Sequence, residues 1–377
     1  MTTSMLSESY HLGDRDRSDG CPGALRMHAA EDGLIGRIRI PGGQLTPAIW
    51  ETLADLADTF GDGDIHVTSR GNLQIRGIAD AAGFSEAVRE HGLLPSPAHD
   101  RMRNIIVSPL GFDVHPLVAE LDAALLASDT VATLSGRTLF GIDAGEGDIV
   151  AHNVDFGVVA GQRFHIVLGG QLTGASCARE EAVGALVGLA QAWAERRGSA
   201  WRVNERPELH GELLATVRTT PETPPEFSNP PGRPIGWLDI DGRVHLGAGL
   251  RFGVLSSQLA RMIAVVGAPV TVTPWHSLVI HSLSESIAEQ VVRVLAPLGL
   301  IFDINSSWLR VTACTGLPGC AKSPANTRDD AAHYIALGEV EDGLVHFSGC
   351  ERRCGHPLGE YTDYLAVGNN EYEVGRR

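Results

Sequence analysis

Apolar positions along the chain switch between two periods in a fixed order. Residues 34–41, LIGRIRIP, alternate as a half-buried strand does. TPAIWETLADLADTF (46–60) has helical apolar spacing, with Thr46 as N-cap and Pro47 at the first helical position. DIHVTS and NLQIRGI read as strands joined by a turn at Arg70-Gly71. GFSEAVREHGLL reads as a second helix closing on Gly92, and RNIIVSPL as one more strand. The same order returns about 205 residues later. RVHLGAGL (243–250) repeats the first strand and VLSSQLARMIAVV the first helix. VTVTPWHSLVIHSL lies over IHVTSRGNLQIRGI, SESIAEQVVRVLAPLGLI over the second helix, and WLRVTAC over MRNIIVS. The pattern predicts an α+β duplication, two split-βαβ halves related by a pseudo-twofold.

Each half carries an extension. Residues 109–205 hold strands at RTLFGID, FGVVAG and RFHIVL and a helix from about Ala178 to Arg197. Residues 206–235 are rich in proline and poor in apolar periodicity, which predicts an extended linker. The expected division is a disordered tail (1–20), a first half (21–108), its α/β extension (109–205), the linker, a second half (236–305) and a second extension (306–377).

Composition narrows the setting. The chain has 377 residues, 43% of them hydrophobic, enough apolar mass for several packed units. No apolar run is long enough to span a bilayer. The first twenty residues lack the basic start and apolar core of a secretory signal, so the expected location is cytoplasmic, with no membrane partner. A net charge of −16 argues against a nucleic-acid partner. Lys322 is the only lysine, so an anion site here is built from arginine.

Six cysteines are present, and a cytoplasmic chain does not hold them as disulfides. Cys21 and Cys177 stand alone, as small buried hydrophobes commonly do. Cys314, Cys320, Cys350 and Cys354 form a C-x5-C and a C-x3-C pair flanked by Gly316, Gly319, Gly349 and Gly355. Structural zinc favours pairs two to four residues apart. A gap of five suits a larger object, such as a cubane iron–sulfur cluster with one thiolate per iron. Zinc and uncoordinated thiols remain the alternatives.

The segments ACTGLPGCAKSPANTRDDA and GCERRCGHP resemble the cysteine pairs of the sirohaem nitrite and sulfite reductase superfamily, and more specifically its precorrin-3B synthase branch. CPGALRMHAAEDGLIGRIRIPGGQL resembles that branch too. The resemblance covers nearly the whole chain. It implies two ferredoxin-like halves with extensions that bind a cluster and a tetrapyrrole. It also implies a [4Fe-4S] cluster on Cys314, Cys320, Cys350 and Cys354, with sirohaem or an additional iron as further candidates.

VTSRGNLQIRG resembles the superfamily's T-x-R-x-N-x-Q strand, which faces the tetrapyrrole. Carried over by position, Arg70, Asn72, Gln74 and Arg76 would share one polar face. The equivalent positions of the second half are Trp275, Ser277, Val279 and His281, so the fold itself does not demand that polarity. Arg101, Arg103 and Asn104 follow in RMRNIIVSPL. The expected ligand-binding residues are therefore Asn72, Gln74, Arg76, Arg101, Arg103 and Asn104, and the expected catalytic residues Arg70, Arg137 and His356. The reductases carry two lysines in an L-P-x-K-x-K segment, whereas LSGRTLFGID has Arg137 and Leu139 there. Arginine is a poor acid, which counts against proton-consuming sulfite reduction. The resemblance implies an oxidoreductase that hydroxylates precorrin-3A with dioxygen and closes a lactone, in aerobic cobalamin biosynthesis. Its electrons would come from a reductase, a ferredoxin or NAD(P)H. A sirohaem-dependent sulfite or nitrite reductase is the alternative.

Overall fold

The computed structural model describes residues 19–228, 230–338 and 340–377. The expected N-terminal tail lies outside the described residues, except for Asp19 and Gly20. The first half contains β1 (His28–Ala30), β2 (Gly33–Ile38), β3 (Gln44–Leu45), α1 (Pro47–Phe60), β4 (Asp64–Val67), β5 (Leu73–Ile78) and α2 (Ala81–Glu90). Helix α1 follows from its apolar spacing, which buries Trp50, Leu53, Ala54, Leu56 and Ala57 on one face. Asp80 caps α2 by accepting from Gly83 N–H, and the chain leaves that helix through Gly92 at φ +71°.

The first extension has β6 (Ile105–Val107), α3 (Pro116–Leu126), α4 (Asp129–Ala132), β7 (Phe140–Asp143), β8 (Phe156–Val159), β9 (Phe164–Leu168), β10 (Gln171–Cys177) and α5 (Ala182–Arg196). Residues 206–235 are more than a spacer. They form α6 (His210–Leu214) and β11 (Thr220–Pro221), bury Leu209 and Leu213, and pack Phe227 over Gly147.

The second half repeats the first as β12 (Gly236–Ile240), β13 (Arg243–Gly249), β14 (Val254–Ser256), α7 (Ser257–Val265), β15 (Val270–Thr273), β16 (Ser277–Leu283) and α8 (Glu285–Leu295). The last extension holds β17 (Val311–Ala313), α9 (Thr327–Ala336), β18 (Leu344–Ser348), β19 (Tyr361–Gly368) and β20 (Glu371–Arg376).

The two half-sheets have matching orders, β1-β2-β5-β4-β14 and β12-β13-β16-β15-β3. Each borrows its last strand from the other half. β14 pairs with β4 through Val254 and His66, and β3 pairs with β15 through Leu45 and Val270. The crossing is tight. A Cβ on Gly43, which sits at φ +68°, would lie 1.9 Å from the Val272 carbonyl oxygen, so only glycine serves there. Helices α1 and α7 pack together, and one apolar core runs through both halves.

The duplication continues into the extensions. β6-β7-β8 run parallel and β9 turns back antiparallel; β17-β18-β19 and β20 do the same. Strand β6 therefore belongs to the extension's sheet. Ser108 N–H donates to Ile142 O at 3.0 Å, as Cys314 N–H does to Phe347 O. Ser108 thus stands where the second copy has Cys314, and Asp148 lies in the loop that corresponds to the one carrying Cys350 and Cys354. Ser108 Oγ donates to Asp148 at 2.6 Å. Asp143 accepts backbone N–H groups from Gly145, Gly147, Ile149 and Val150. The first copy thus closes with carboxylates the turn that the second copy lines with thiols.

Burial holds several histidines neutral. His66 and His281 are pushed down to about 3, and His152 and His276 to about 4, chiefly by desolvation. Between those values and about 6.5 the unfolded chain binds protons that the folded chain does not, so stability falls as pH drops through that window. Asp148 acts in the opposite sense. Burial raises it to about 7, so its charge destabilises the fold as pH rises from about 4 to 7. The urea midpoint of the wild type is expected to fall between pH 7 and pH 5. Asp148→Asn is expected to raise the midpoint at pH 8. An unchanged wild-type midpoint across pH 5–7 contradicts the histidine account.

Candidate functional site

The thiols sit on two loops at the carboxyl ends of parallel strands. Cys314 directly follows β17 and leads to Cys320; Cys350 and Cys354 follow β18. Cys314 Sγ accepts the Gly349 N–H at 3.1 Å, and Thr327 Oγ1 donates to Cys314 O at 3.0 Å. A Cβ on Gly349 would lie 2.3 Å from Ser323 Oγ and 3.2 Å from Cys314 Sγ, so the approach of that amide to sulfur needs glycine. Burial raises the Cys354 thiol, and repulsion from Cys314, Cys350 and Cys320 adds to it, so all four thiols are close enough to interact. Among the described residues no group of three or more His, Cys, Asp or Glu is drawn together around one metal ion. A backbone amide aimed at the Cys314 sulfur is the kind of contact that tunes a metal-bound thiolate.

The thiol loops are braced against the first half-sheet. Arg76 on β5 binds Asp32 through two hydrogen bonds of 2.9 Å and donates to Gly319 O at 2.9 Å, next to Cys320. Arg328 on α9 reaches His66 Nδ1 on β4 at 3.4 Å. Arg76 and Arg328 thus link β5 and β4 to the extension that carries the thiols.

The polar face of that sheet continues away from the thiols. Arg37 on β2, Gln74 on β5 and His66 on β4 stand side by side in register. Arg37 donates to Gln74 Oε1 at 2.9 Å and to Cys21 Sγ at 3.2 Å. Arg39 donates to Arg101 O and Pro22 O, and its Nη2 lies 3.6 Å from Cys21 Sγ. Arg101 donates to Asp19 O. Arg137 is half-exposed, lies 3.4 Å from Asp19, and rests its guanidinium 4.8 Å from the centre of the Trp201 ring. Arg202 pairs with Asp155 at 2.7 Å. Arg70 has no side-chain hydrogen bond or ion pair among the described residues; Arg202 and Arg37 act on it as cations, partly offset by Cys21 and Asp155. Desolvation, with those cations beside it, pushes Arg70 down to about 10, and burial does the same to Arg39. Both stay charged at neutral pH.

Among the residues expected at the site, Arg70, Gln74, Arg101 and Arg137 gather in this group. The others have different work. Arg76 is the brace. Arg103 is buried in a two-point pair with Asp122 at 2.7 and 2.6 Å. Asn72 and Asn104 are buried and bonded to each other at 2.9 Å; Asn72 also accepts Ile40 N–H, and Asn104 donates to Gly136 O and Thr138 O. They stitch the half-sheet to its extension. His356 is exposed beside the thiol loops, stacked on Tyr361 with ring centres 5.5 Å apart, and no contact among the described residues joins it to the arginines. Arg37, Arg39, Arg202, Arg328, His66 and Cys21 were not expected. Only Arg37 and Arg39 carried a signal, as the two basic positions two apart in GRIRI.

The pseudo-equivalent face of the second half is closed. Phe112 packs against His245 and His281 at 4.9 and 5.6 Å. A Cβ on Gly247, the counterpart of Arg37, would lie 2.2 Å from Pro234 O. Only the first face keeps a set of cations short of anions.

The family model described as "Nitrite/Sulfite reductase ferredoxin-like half domain" matches residues 28–90. The structure of the Mycobacterium tuberculosis NirA protein superposes with a TM-score of 0.74, covering 96% of this chain and 77% of that one at 18% identity. A precorrin-3B synthase from Sinorhizobium sp is 28% identical over 90% of this chain and 79% of its own length. The first half therefore matches a nitrite and sulfite reductase half domain, and the chain as a whole shares the fold of the NirA structure. Superfamily members with reductase names match over shorter stretches. A sulfite reductase hemoprotein beta-component from Chromohalobacter salexigens is 31% identical over 31% of this chain and 22% of its own. No helix among the described residues is long and apolar enough to cross a membrane.

The brace has a measurable cost of removal. Arg76 is 7% exposed in its side chain and Asp32 23%. Arg76→Ala leaves Asp32 and Gly319 O without their partner and is expected to lower unfolding free energy by about 3 kcal/mol. A loss below about 0.5 kcal/mol in urea unfolding, the level of an exposed pair, would show that the bridge braces nothing.

Proposed function

We propose that this chain is a tetrapyrrole-modifying oxidoreductase of the precorrin-3B synthase kind, acting on precorrin-3A with dioxygen. The observation that carries the reading is the match to a precorrin-3B synthase over 90% of this chain, against shorter matches to sulfite and nitrite reductases. The arginine face supports it. Arg70, Arg37, Arg101, Arg137 and Arg202 surround a surface where acetate and propionate arms would find planar, charged donors. Because they remain protonated, these arginines seat and orient carboxylates rather than deliver protons. Leu139, at the position of the reductases' second lysine, is buried in an apolar cluster and offers no proton either. Trp201 backs the Arg137 guanidinium and limits its motion.

Cys314, Cys320, Cys350 and Cys354 would hold a [4Fe-4S] cluster. When bound, the cluster would supply the single electrons that ground-state dioxygen needs. Replacing any one of the four with serine is expected to deplete iron and acid-labile sulfide together. Retention of a stoichiometric cluster in two such variants would sink that assignment.

The deciding comparison is turnover of precorrin-3A under air against reduction of sulfite and of nitrite, with one artificial electron donor. Consumption of precorrin-3A with negligible sulfite and nitrite reduction is expected. Arg70→Ala should weaken precorrin-3A binding about tenfold or more and leave the cluster spectrum intact, since a charge-assisted bond contributes roughly 1.5–3 kcal/mol. Arg70→Lys should recover part of the loss, because an ammonium lacks the planar fork. Tightly held sirohaem with robust sulfite or nitrite reduction, and no consumption of precorrin-3A, establishes the reductase reading instead.

A further inference from the structure

The two cysteines outside the thiol loops differ sharply. Cys177 is fully buried, and burial pushes its thiol up to about 11, with Glu181 and Glu180 adding to the rise. Cys21 is half-buried at the edge of the arginine face. Its Sγ takes a hydrogen bond from Arg37 Nη1 at 3.2 Å, lies 3.6 Å from Arg39 Nη2, and donates to Gly136 O at 3.3 Å. The guanidinium that points at this sulfur is itself incompletely bonded. Arg39 is 3% exposed, and its buried Nη1 has no hydrogen-bond partner; the Nε of Arg37 is likewise unpaired. A cation buried this deeply with a free donor calls for one more acceptor beside the sulfur.

We infer that Cys21 is a modification site, a nucleophilic sulfur held by Arg37 and Arg39 that hydroperoxides oxidise to a sulfenate. The electrostatics agree. Burial raises this thiol and the nearby Asp19 carboxylate adds to the rise, but Arg37, Arg39 and Arg70 outweigh both and the net effect is downward. In the reaction the Cys21 thiolate attacks one oxygen of the hydroperoxide. The O–O bond breaks, an S–O bond forms, sulfur gives up two electrons, and the departing hydroxide or alkoxide takes up the proton of the new S–OH group, leaving the sulfenate and water or an alcohol. The new oxygen is an acceptor placed among the donors that Arg37 and Arg39 leave free. It also occupies the arginine face, so oxidation at Cys21 is expected to exclude a carboxylated ligand. That last consequence rests on the proposed function; the chemistry at sulfur does not.

The test uses the full-length, cluster-loaded protein without substrate, so its outcome is separate from that of the proposed function. Alkylation by iodoacetamide is followed at Cys21 and Cys177 by peptide mass across pH, and sulfenate formed by hydrogen peroxide is trapped with dimedone. The Cys21 rate is expected to be half-maximal below about pH 8.5, the value of an ordinary thiol. Cys177 is expected to stay unlabelled in the same samples. Arg37→Gln removes a cation from the sulfur and should lower the Cys21 rate at about pH 6.5 by about tenfold, and Arg37→Lys should restore part of it. Peroxide should give a dimedone adduct at Cys21 in the wild type and less in Arg37→Gln. A Cys21 midpoint at or above about pH 8.5, a rate unmoved in both Arg37 variants, or the absence of a Cys21 dimedone adduct overturns the proposal. Circular dichroism of each variant separates a lost charge from a lost fold.

Discussion

A guanidinium taken out of water needs an anion near it, and Arg39, buried beside half-buried Arg37 and Arg70, meets only backbone carbonyls and the Cys21 sulfur. Arg76 meets Asp32 and Arg103 meets Asp122, so this chain pairs its arginines where the fold alone is at stake. The acids at the rim of the polar face, Asp19 and Asp155, are taken up by Arg137 and Arg202, and the acid group that touches Arg37 and Arg39 is the Cys21 thiol. The result is lowered arginine affinity for protons at Arg70 and Arg39 and unbonded donors on Arg37 and Arg39. A protein tolerates that imbalance when a ligand removes it, and carboxylates in bidentate geometry are the groups that do so best.

The duplication explains why the imbalance occurs once. Repetition of the half-sheets, locked by the exchange of β3 and β14, creates two equivalent polar faces and two equivalent sets of loops. One copy of each has been closed. Phe112 and Pro234 cover the second sheet, and Ser108, Asp143 and Asp148 bond the first extension's turn to itself. The other copy stays open, with arginines on the first sheet and thiols on the second extension. Arg76 and Arg328 join these two parts across more than two hundred residues of sequence, so ligand face and thiol loops meet although each belongs to a different repeat.

The halves were legible because their strands and helices are long enough to show a period. Trp50, Leu53 and Leu56 mark α1, and Leu73, Ile75 and Ile78 face the core from β5. The strand exchange was not legible, since β3 and β14 have two and three residues and no period can show in so few. The repeat in the extensions was hidden by chemistry, with Ser108 at the position of Cys314 and Asp143 and Asp148 in the loop that corresponds to the second thiol pair. For the site, the cysteine spacing pointed to the thiol loops, and the polar strand pointed to the right face. Which arginines are free was not legible. The acids that occupy Arg76 and Arg103 lie 44 and 19 residues away, and nothing local distinguishes those arginines from Arg70. The assumption of one continuous polar face also fails at Asn72, whose amide turns inward to Asn104 because a buried backbone N–H at Ile40 needs it.

The central claim is that carboxylate charge, and not macrocycle shape, holds a ligand on this face. Equilibrium titration of the cluster-loaded protein with a polycarboxylated porphyrin and with its neutral methyl ester, at low and high salt, tests it most directly. The account predicts that the acid binds, that salt and Arg70→Ala each weaken it, and that the ester binds far less. Equal binding of acid and ester, unaffected by salt, would contradict it.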